Sequence, residues 1–263
     1  MAVAPGRQAR DTLSRPFRAR GGAPKLPAMR KKLIAILPLF VLAASTAAAQ
    51  APNTLTAEEK AAGFKLLFDG KAATDWRGYQ QKTLPGGWTV VDGALALTSG
   101  SGEPSSGDIV TRAEYSNFEL RLEWRIAKDG NSGIMYRVSE EYEAPYESGP
   151  EMQVLDDAGH ADGKSRLTAA GSCFGLYPAP AGIVKPAGEW NEVRIIADGA
   201  HVEHWLNGVK VVEYELWSPD WRGRVASSKF KQWPGYGMSK KGRIALQDHG
   251  NAVSYRSIRI RKL

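Results

Sequence analysis

"FELRLEWRI", residues 118–126, alternates apolar and charged side chains without a break. Phe118, Leu120, Leu122, Trp124 and Ile126 share one face, and Glu119, Arg121, Glu123 and Arg125 share the other. Period two is the repeat of a half-buried β-strand, since successive side chains point to opposite faces of a sheet. Working outward, "HVEHWLNGVKVVEYEL" (201–216) reads as two strands around Asn207-Gly208, a strong short-range hairpin signal. Further short strands are expected in "GWTVVDGALALTS" (87–99), "GIMYRVS" (133–139), "EWNEVRIIAD" (189–198), "GRIALQDH" (242–249) and "VSYRSIRIRKL" (253–263). Helical patterning is confined to two places. Thr56 can cap a short helix over 56–62 with Glu58 and Glu59 in its first turn, and Ser218 with Pro219 can open another over 219–226. The expected fold class is all-β: a two-sheet antiparallel jelly-roll sandwich with one or two short helices.

The 35 basic and 28 acidic residues give a formal charge of +7, but the excess sits at the N-terminus. Residues 1–50 hold nine Lys/Arg and one acid, Asp11, which leaves 26 basic and 27 acidic residues beyond them. A near-neutral, mixed-charge domain has no electrostatic footprint for nucleic acid. "MRKKLIAILPLFVLAASTAAAQ", from Met29, has a basic start, a short apolar run and small residues at Ala47 and Ala49, so 29–49 reads as a signal peptide cut after Ala49. Residues 1–28 are then an upstream extension from a mis-assigned start, and the expected product is exported, periplasmic or secreted. Cys173 is the sole cysteine, which excludes an intramolecular disulfide, and no cysteine near the cut implies a lipid or other stable membrane anchor. The linker and short helix occupy 50–62, and one domain fills 63–263.

Three strands offer polar residues opposite an apolar row. In "GPEMQVLDDAGH" (149–160), Met152 and Val154 read as core, which leaves Glu151 and Gln153 on the other face. Gln247 and His249 lie opposite Ile244 and Leu246, and Arg137 alternates with Tyr136 and Val138. A solvated sheet face also carries polar residues. An amide, an imidazole, a guanidinium and a lone carboxyl are an unusual selection for one, however, and Tyr136, Tyr142, Tyr146, Tyr177, Trp233 and Tyr236 lie in or near these segments. Such rings suit sugars, with a flat apolar face and a polar edge. Asp156, Asp157, His160 and Asp162 are hard-cation ligands by type, yet their spacing matches no EF-hand or zinc motif, and an Asp/Gly-rich strand exit is also a turn. There is no Gly-x-Ser-x-Gly elbow, P-loop or dinucleotide fingerprint. Cys173 in "GSCFGLY" reads as a small buried residue.

Taken in order, "GFKLLFDGK", "GNSGIMYR", "GPEMQVLDDAGHAD", "GEWNEVRI", "HVEHWLNGVKV", "SKF" and "GRIALQDHGNAVSYRSIRIRKL" resemble the 3-keto-disaccharide hydrolase family (3-keto-α-glucoside 1,2-lyase/3-keto-2-hydroxyglucal hydratase) over 63–263. Ser257 departs from the Asn common there, a change expected to touch a turn. The resemblance implies a concanavalin A-like jelly roll related to the laminarinase-type glucanases, in which Glu151-x-Gln153 replaces a strand of alternating acids. Retaining hydrolysis needs two flanking carboxyls, and Gln153 can act neither as acid nor as nucleophile. The implied route uses a C3 ketone to acidify C2–H: a base takes that proton, the enolate expels the C1 substituent, and water adds back. On this reading the small-molecule partner is an oxidised disaccharide or glucoside. Glu151 and His249 share the proton transfers in an order left open, Arg137 stabilises the oxyanion, and Gln153 and Gln247 orient the sugar. Tyr136, Tyr142, Tyr146, Asp156, Lys229 and Trp233 are expected to line the substrate. A divalent metal ion would draw on Asp156 and His160. The main alternative is a non-catalytic carbohydrate-binding module on the same scaffold.

Overall fold

The computed structural model describes residues 50–98 and 107–263, with Gly21 besides; apart from Gly21, the expected extension and signal peptide lie outside these. Two short helices and thirteen strands are present among the described residues. Helix α1 (Ala57–Ala61) starts at Thr56, whose hydroxyl accepts from Glu59 N–H while the Glu59 carboxylate accepts from Thr56 N–H, a reciprocal capping box. The strands are β1 (Lys65–Leu66), β2 (Trp76–Gly78), β3 (Trp88–Val91), β4 (Ala94–Leu97), β5 (Ile109–Thr111), β6 (Phe118–Ile126), β7 (Asn131–Val138), β8 (Glu151–Leu155), β9 (Asn191–Asp198), β10 (His201–Leu206) and β11 (Val209–Glu215). Helix α2 (Pro219–Ala226), capped by the Ser218 hydroxyl, precedes β12 (Arg243–Leu246) and β13 (Val253–Lys262). Both helices and the Asn207-Gly208 hairpin fall where the sequence signals put them.

All strand pairs are antiparallel, in two sheets. The larger has eight strands in the order β11-β10-β9-β6-β13-β4-β3, with β1 also on β13; the smaller has five, β2-β5-β12-β7-β8. Between them lie Phe118, Leu120, Leu122, Trp124 and Ile126 of β6, facing Ile134, Met152, Val154, Ile244 and Leu246 of the smaller sheet. Each fully buried side chain of this size contributes roughly 1.5–3 kcal/mol, which is why the one-sided pattern of β6 dictates a two-layer sandwich. The outer face of the larger sheet is a lattice of ion pairs: Glu119, 1% exposed, accepts from Arg121, Arg194 and Arg261. Ser257 sits in a bulge within β13 rather than in a turn. It has φ 53°, its N–H donates to Asn53 Oδ1 at 2.7 Å, and its hydroxyl accepts from Asn53 N–H at 3.2 Å.

Strands β7 and β8 depart from one-sided burial, since every residue of both is buried. Their inner face meets the larger sheet. Their outer face is covered by three chain segments: a 3-10 turn at Pro145–Glu147, the stretch from the 3-10 turn Ala161–Lys164 to Phe174, and a 3-10 turn at Lys229–Gln232. The expected open sheet face is therefore the floor of a partly covered pocket. Among the described residues, no helix is long and apolar enough to cross a membrane.

Candidate functional site

Glu151, Gln153, Gln247, His249, Lys229, Tyr146, Asn131, Asp162 and Phe174 line one pocket of about 270 Å³ on this covered face. The first six were expected from the sequence; the last three were not. Strand β8 delivers Glu151 and Gln153 because Met152 and Val154 occupy the core side of the same strand. Glu151 is 6% exposed, and its carboxyl lies directly over Gly133 of β7, where a Cβ would stand 1.9 Å from Glu151 Oε1. Gly133 thus serves by having no side chain, which is the structural content of "GNSG". The Gln153 amide, oriented so that its nitrogen meets acceptors, donates to Glu151 Oε1 at 3.2 Å and to the Ser132 carbonyl at 3.0 Å.

Burial dominates the electrostatics of Glu151 and pushes its carboxyl up to about 8; the nearby Lys229 ammonium opposes this, and the charges of Asp108 and Asp162 reinforce it. At neutral pH the group is mostly protonated, with a minor carboxylate fraction of raised basicity. Lys229 projects from the start of its 3-10 turn, with Nζ 4.5 Å from the centroid of the Phe174 ring.

The segment after β12 is pinned from below. Gln247 N–H donates to the Gly133 carbonyl at 3.0 Å, and the Gln247 carbonyl accepts from Ser132 Oγ at 2.7 Å. Asp248 N–H donates to Asp108 Oδ1 at 2.7 Å. The Asp108 carboxyl is itself pushed up to about 6, by burial first and by the Asp248 charge as well. His249, exposed at the rim, meets the His160 ring edge to face with centroids 6.2 Å apart.

Several expected residues lie elsewhere. Arg137 was expected on the site face, opposite Tyr136 and Val138. A register shift between β7 and β12 at this point, with Arg137 at φ 52°, inserts one extra residue, so that Met135 and Val138, three apart, share an outer cluster. Arg137 is 2% exposed, donates from Nε and Nη2 to the Ser116 carbonyl, and lies over the Trp217 ring; it does not reach the pocket. Tyr136 is fully buried between the sheets, with its hydroxyl bonded to His204 Nε2 at 2.9 Å and to the Tyr214 hydroxyl, so it is not at the substrate surface. Asp156 is a loop staple that accepts from Asp129 N–H at 2.9 Å and Ala158 N–H at 3.3 Å, and it opens onto a different hollow. Tyr142 and Trp233 border a second hollow next to the pocket.

The expected metal ligands are not brought together. His160 Nδ1 accepts from Asp162 N–H at 3.1 Å as the cap of its 3-10 turn, while Asp156 is spent on backbone N–H groups. Among the described residues, three metal-type ligand atoms converge within 4.8 Å only at His201, Glu203 and Glu213. The Lys210 ammonium, 3.4 Å from Glu203, already occupies part of that charge. The residues as arranged do not fit a metal at the pocket.

Asp162, carried by the loop after β8, adds a second carboxyl to the pocket. It was weighed from sequence only as a cation ligand; its Oδ2 lies 3.4 Å from Asn131 Nδ2. A larger groove of about 650 Å³ crosses the outer face of the eight-stranded sheet. Its Arg121, Arg194, Arg256 and Arg259 are tied up in ion pairs with Glu119, Glu123 and Glu59.

The model of a family described as a 3-keto-alpha-glucoside-1,2-lyase-like domain matches residues 63–261. A 3-keto-disaccharide hydrolase of Bacteroides thetaiotaomicron is 37% identical over 228 residues, covering 76% of this chain and 79% of that protein. A crystal structure from Parabacteroides distasonis, of a protein provisionally named a glycosyl hydrolase, superposes with a TM-score of 0.74 at 37% identity, covering 81% of this chain and all of that one. A second such structure from the same organism gives a TM-score of 0.62 at 29% identity, covering 76% of this chain and 99% of the other.

Proposed function

We propose, on the premise that this chain belongs to the 3-keto-alpha-glucoside-1,2-lyase-like family, that it is a carbohydrate-cleaving enzyme acting on 3-keto-glycosides. The observation that carries the reading is the buried Glu151, held near pKa 8 between Gly133 and the Gln153 amide in a pocket that also contains Lys229. A carboxylate of raised basicity suits removal of a carbon-bound proton better than an ordinary one does.

In the proposed sequence, Glu151 takes the C2 proton, and the electron pair moves into the C3 carbonyl to form an enolate. Lys229 stabilises the enolate oxygen, the part first expected of Arg137. The enolate re-forms the ketone as the C1–O bond breaks, and His249 at the rim protonates the departing oxygen. The product is a 2-hydroxyglycal bearing the C3 ketone. Water then adds at C1 while a proton returns to C2, giving the free 3-keto-sugar and net hydrolysis. We further propose export of the enzyme, from the leader at 29–49.

The test is turnover of methyl 3-keto-glucoside in D₂O. Deuterium at C2 of the product is expected; product lacking it would sink the elimination route. A specific observation favours one second reading. Asp162 gives the pocket a second carboxyl, so direct two-acid hydrolysis is the alternative, and cleavage of unoxidised disaccharides at a comparable rate would select it.

A further inference from the structure

A pocket of about 270 Å³ falls just below the roughly 300–1,000 Å³ that houses drug-sized ligands, so it takes one sugar ring and not two. The ring that leaves must therefore lie outside it. A hollow of about 440 Å³ adjoins the pocket, lined by Gln80, Glu141, Tyr142, Glu143, Glu147 and Trp233. Two elements pass from one to the other. Tyr146 borders the pocket and the next residue, Glu147, borders the hollow; Lys229 begins the 3-10 turn whose C-terminal cap is Trp233. Tyr146 and Trp233 meet edge to face, with centroids 5.6 Å apart, at the boundary.

The hollow is built rather than incidental. The Tyr142 hydroxyl lies against Gly235, where a Cβ would stand 1.9 Å from it. The Tyr142 carbonyl accepts from the Tyr79 hydroxyl at 2.8 Å and from Gln80 Nε2 at 2.6 Å. Trp233 is held behind by Phe230, with centroids 6.3 Å apart. Two fixed aromatic side chains thus border a space where a second sugar ring can stack. The remaining charged lining is all of one sign. Glu141, Glu143 and Glu147 form no ion pair among the described residues, and no cation lines the hollow.

We propose that this hollow is the subsite for the leaving-group sugar, and that its three carboxylates select an uncharged or amine-bearing ring over an acidic one. The inference rests on the reading of the pocket as the 3-keto-sugar site. Like charges at this range discriminate modestly and fade with salt.

The test compares kcat/KM for a 3-keto-disaccharide with a neutral second ring, its counterpart with a uronic acid second ring, and methyl 3-keto-glucoside. In Trp233→Ala the preference for the neutral disaccharide over the methyl glycoside should fall about tenfold, the order set by one lost aromatic platform. In Glu141→Gln/Glu143→Gln the bias against the acidic ring should shrink about threefold, and in wild type it should shrink with added salt. Equal loss on both neutral substrates, or an unchanged acid bias in the double variant, overturns the subsite. If wild type turns over none of the three, it is the catalytic reading that has failed. Calorimetric titration with the unoxidised neutral disaccharide and with glucose still decides the subsite. An advantage of the disaccharide that disappears in Trp233→Ala supports it, and no advantage in wild type overturns it.

Discussion

Replacing Glu151 with Gln should stabilise this protein, and increasingly so as pH rises. The carboxyl is forced into a buried position against Gly133, and burial lifts its pKa from 4.5 to about 8. A group whose folded pKa is raised binds its proton more tightly folded than unfolded. Stability is therefore fully retained below about pH 4.5 and is lost as pH climbs towards 8, where the folded state must at last ionise. At about 1.36 kcal/mol per pK unit, the whole effect is capped near 5 kcal/mol. By the same relation about 1 kcal/mol is lost by pH 5, and nearly all of it by pH 9. The neutral isostere Gln carries none of this, so Glu151→Gln should gain on wild type by roughly 4 kcal/mol between pH 5 and pH 9. Urea unfolding of both proteins across that range, with unchanged m-values, measures it. Titrating groups that do not interact with Glu151 are common to the two and cancel in the difference, whereas its coupling to Lys229, Asp108 and Asp162 is part of the effect. Parallel stability curves would refute the argument, because they would mean that the Glu151 carboxyl is hydrated and its pKa ordinary.

The same group sets the expected pH dependence of turnover: as a base, Glu151 should give kcat/KM rising about tenfold per pH unit to a plateau above 8, and a falling limb there would mark it as the acid instead. Lys229→Gln should lower kcat by about 10²–10³-fold through the lost oxyanion partner; because Lys229 also lowers the Glu151 pKa, the limb should move to higher pH, and an unmoved limb would separate Lys229 from Glu151. His249→Ala should cost about 10²–10⁴-fold in kcat with a poor leaving group and far less with 4-nitrophenolate, which needs no proton; equal losses would remove His249 from the acid role. Gly133→Ala pushes a methyl to within 1.9 Å of Glu151 Oε1, so it should cost about 1–3 kcal/mol of stability together with most activity, read by thermal melting and by turnover.

Strand alternation was legible because it depends only on near neighbours in the chain. Residues 118–126 turn every second side chain into the core, and no other arrangement of that segment hides Phe118, Leu120, Leu122 and Trp124 from water. The hairpin at Asn207-Gly208 and the caps at Thr56 and Ser218 are equally local. The pairing of Glu151 with Gln153, and of Gln247 with His249, followed from the same period, so much of the pocket could be anticipated residue by residue.

What the tertiary structure alone decided involves contacts between distant segments, or a break in the period itself. One bulge turns Arg137 inward, and no residue near it in the sequence announces that. The loops laid over β7 and β8 convert a sheet face into a buried floor, and it is this burial, not the identity of Glu151, that raises its pKa. Asp162 and Phe174 reach the pocket from loops, whose side-chain directions have no fixed period to read, while Asn131 shares the face of Gly133 on β7 and was passed over. The sequence by itself determined the two-layer architecture and the strand that carries the acid, because hydrophobic burial acts through a repeating local pattern. The chemistry of that acid was left to the fold, because desolvation depends on everything packed around the carboxyl and not on its place in the chain.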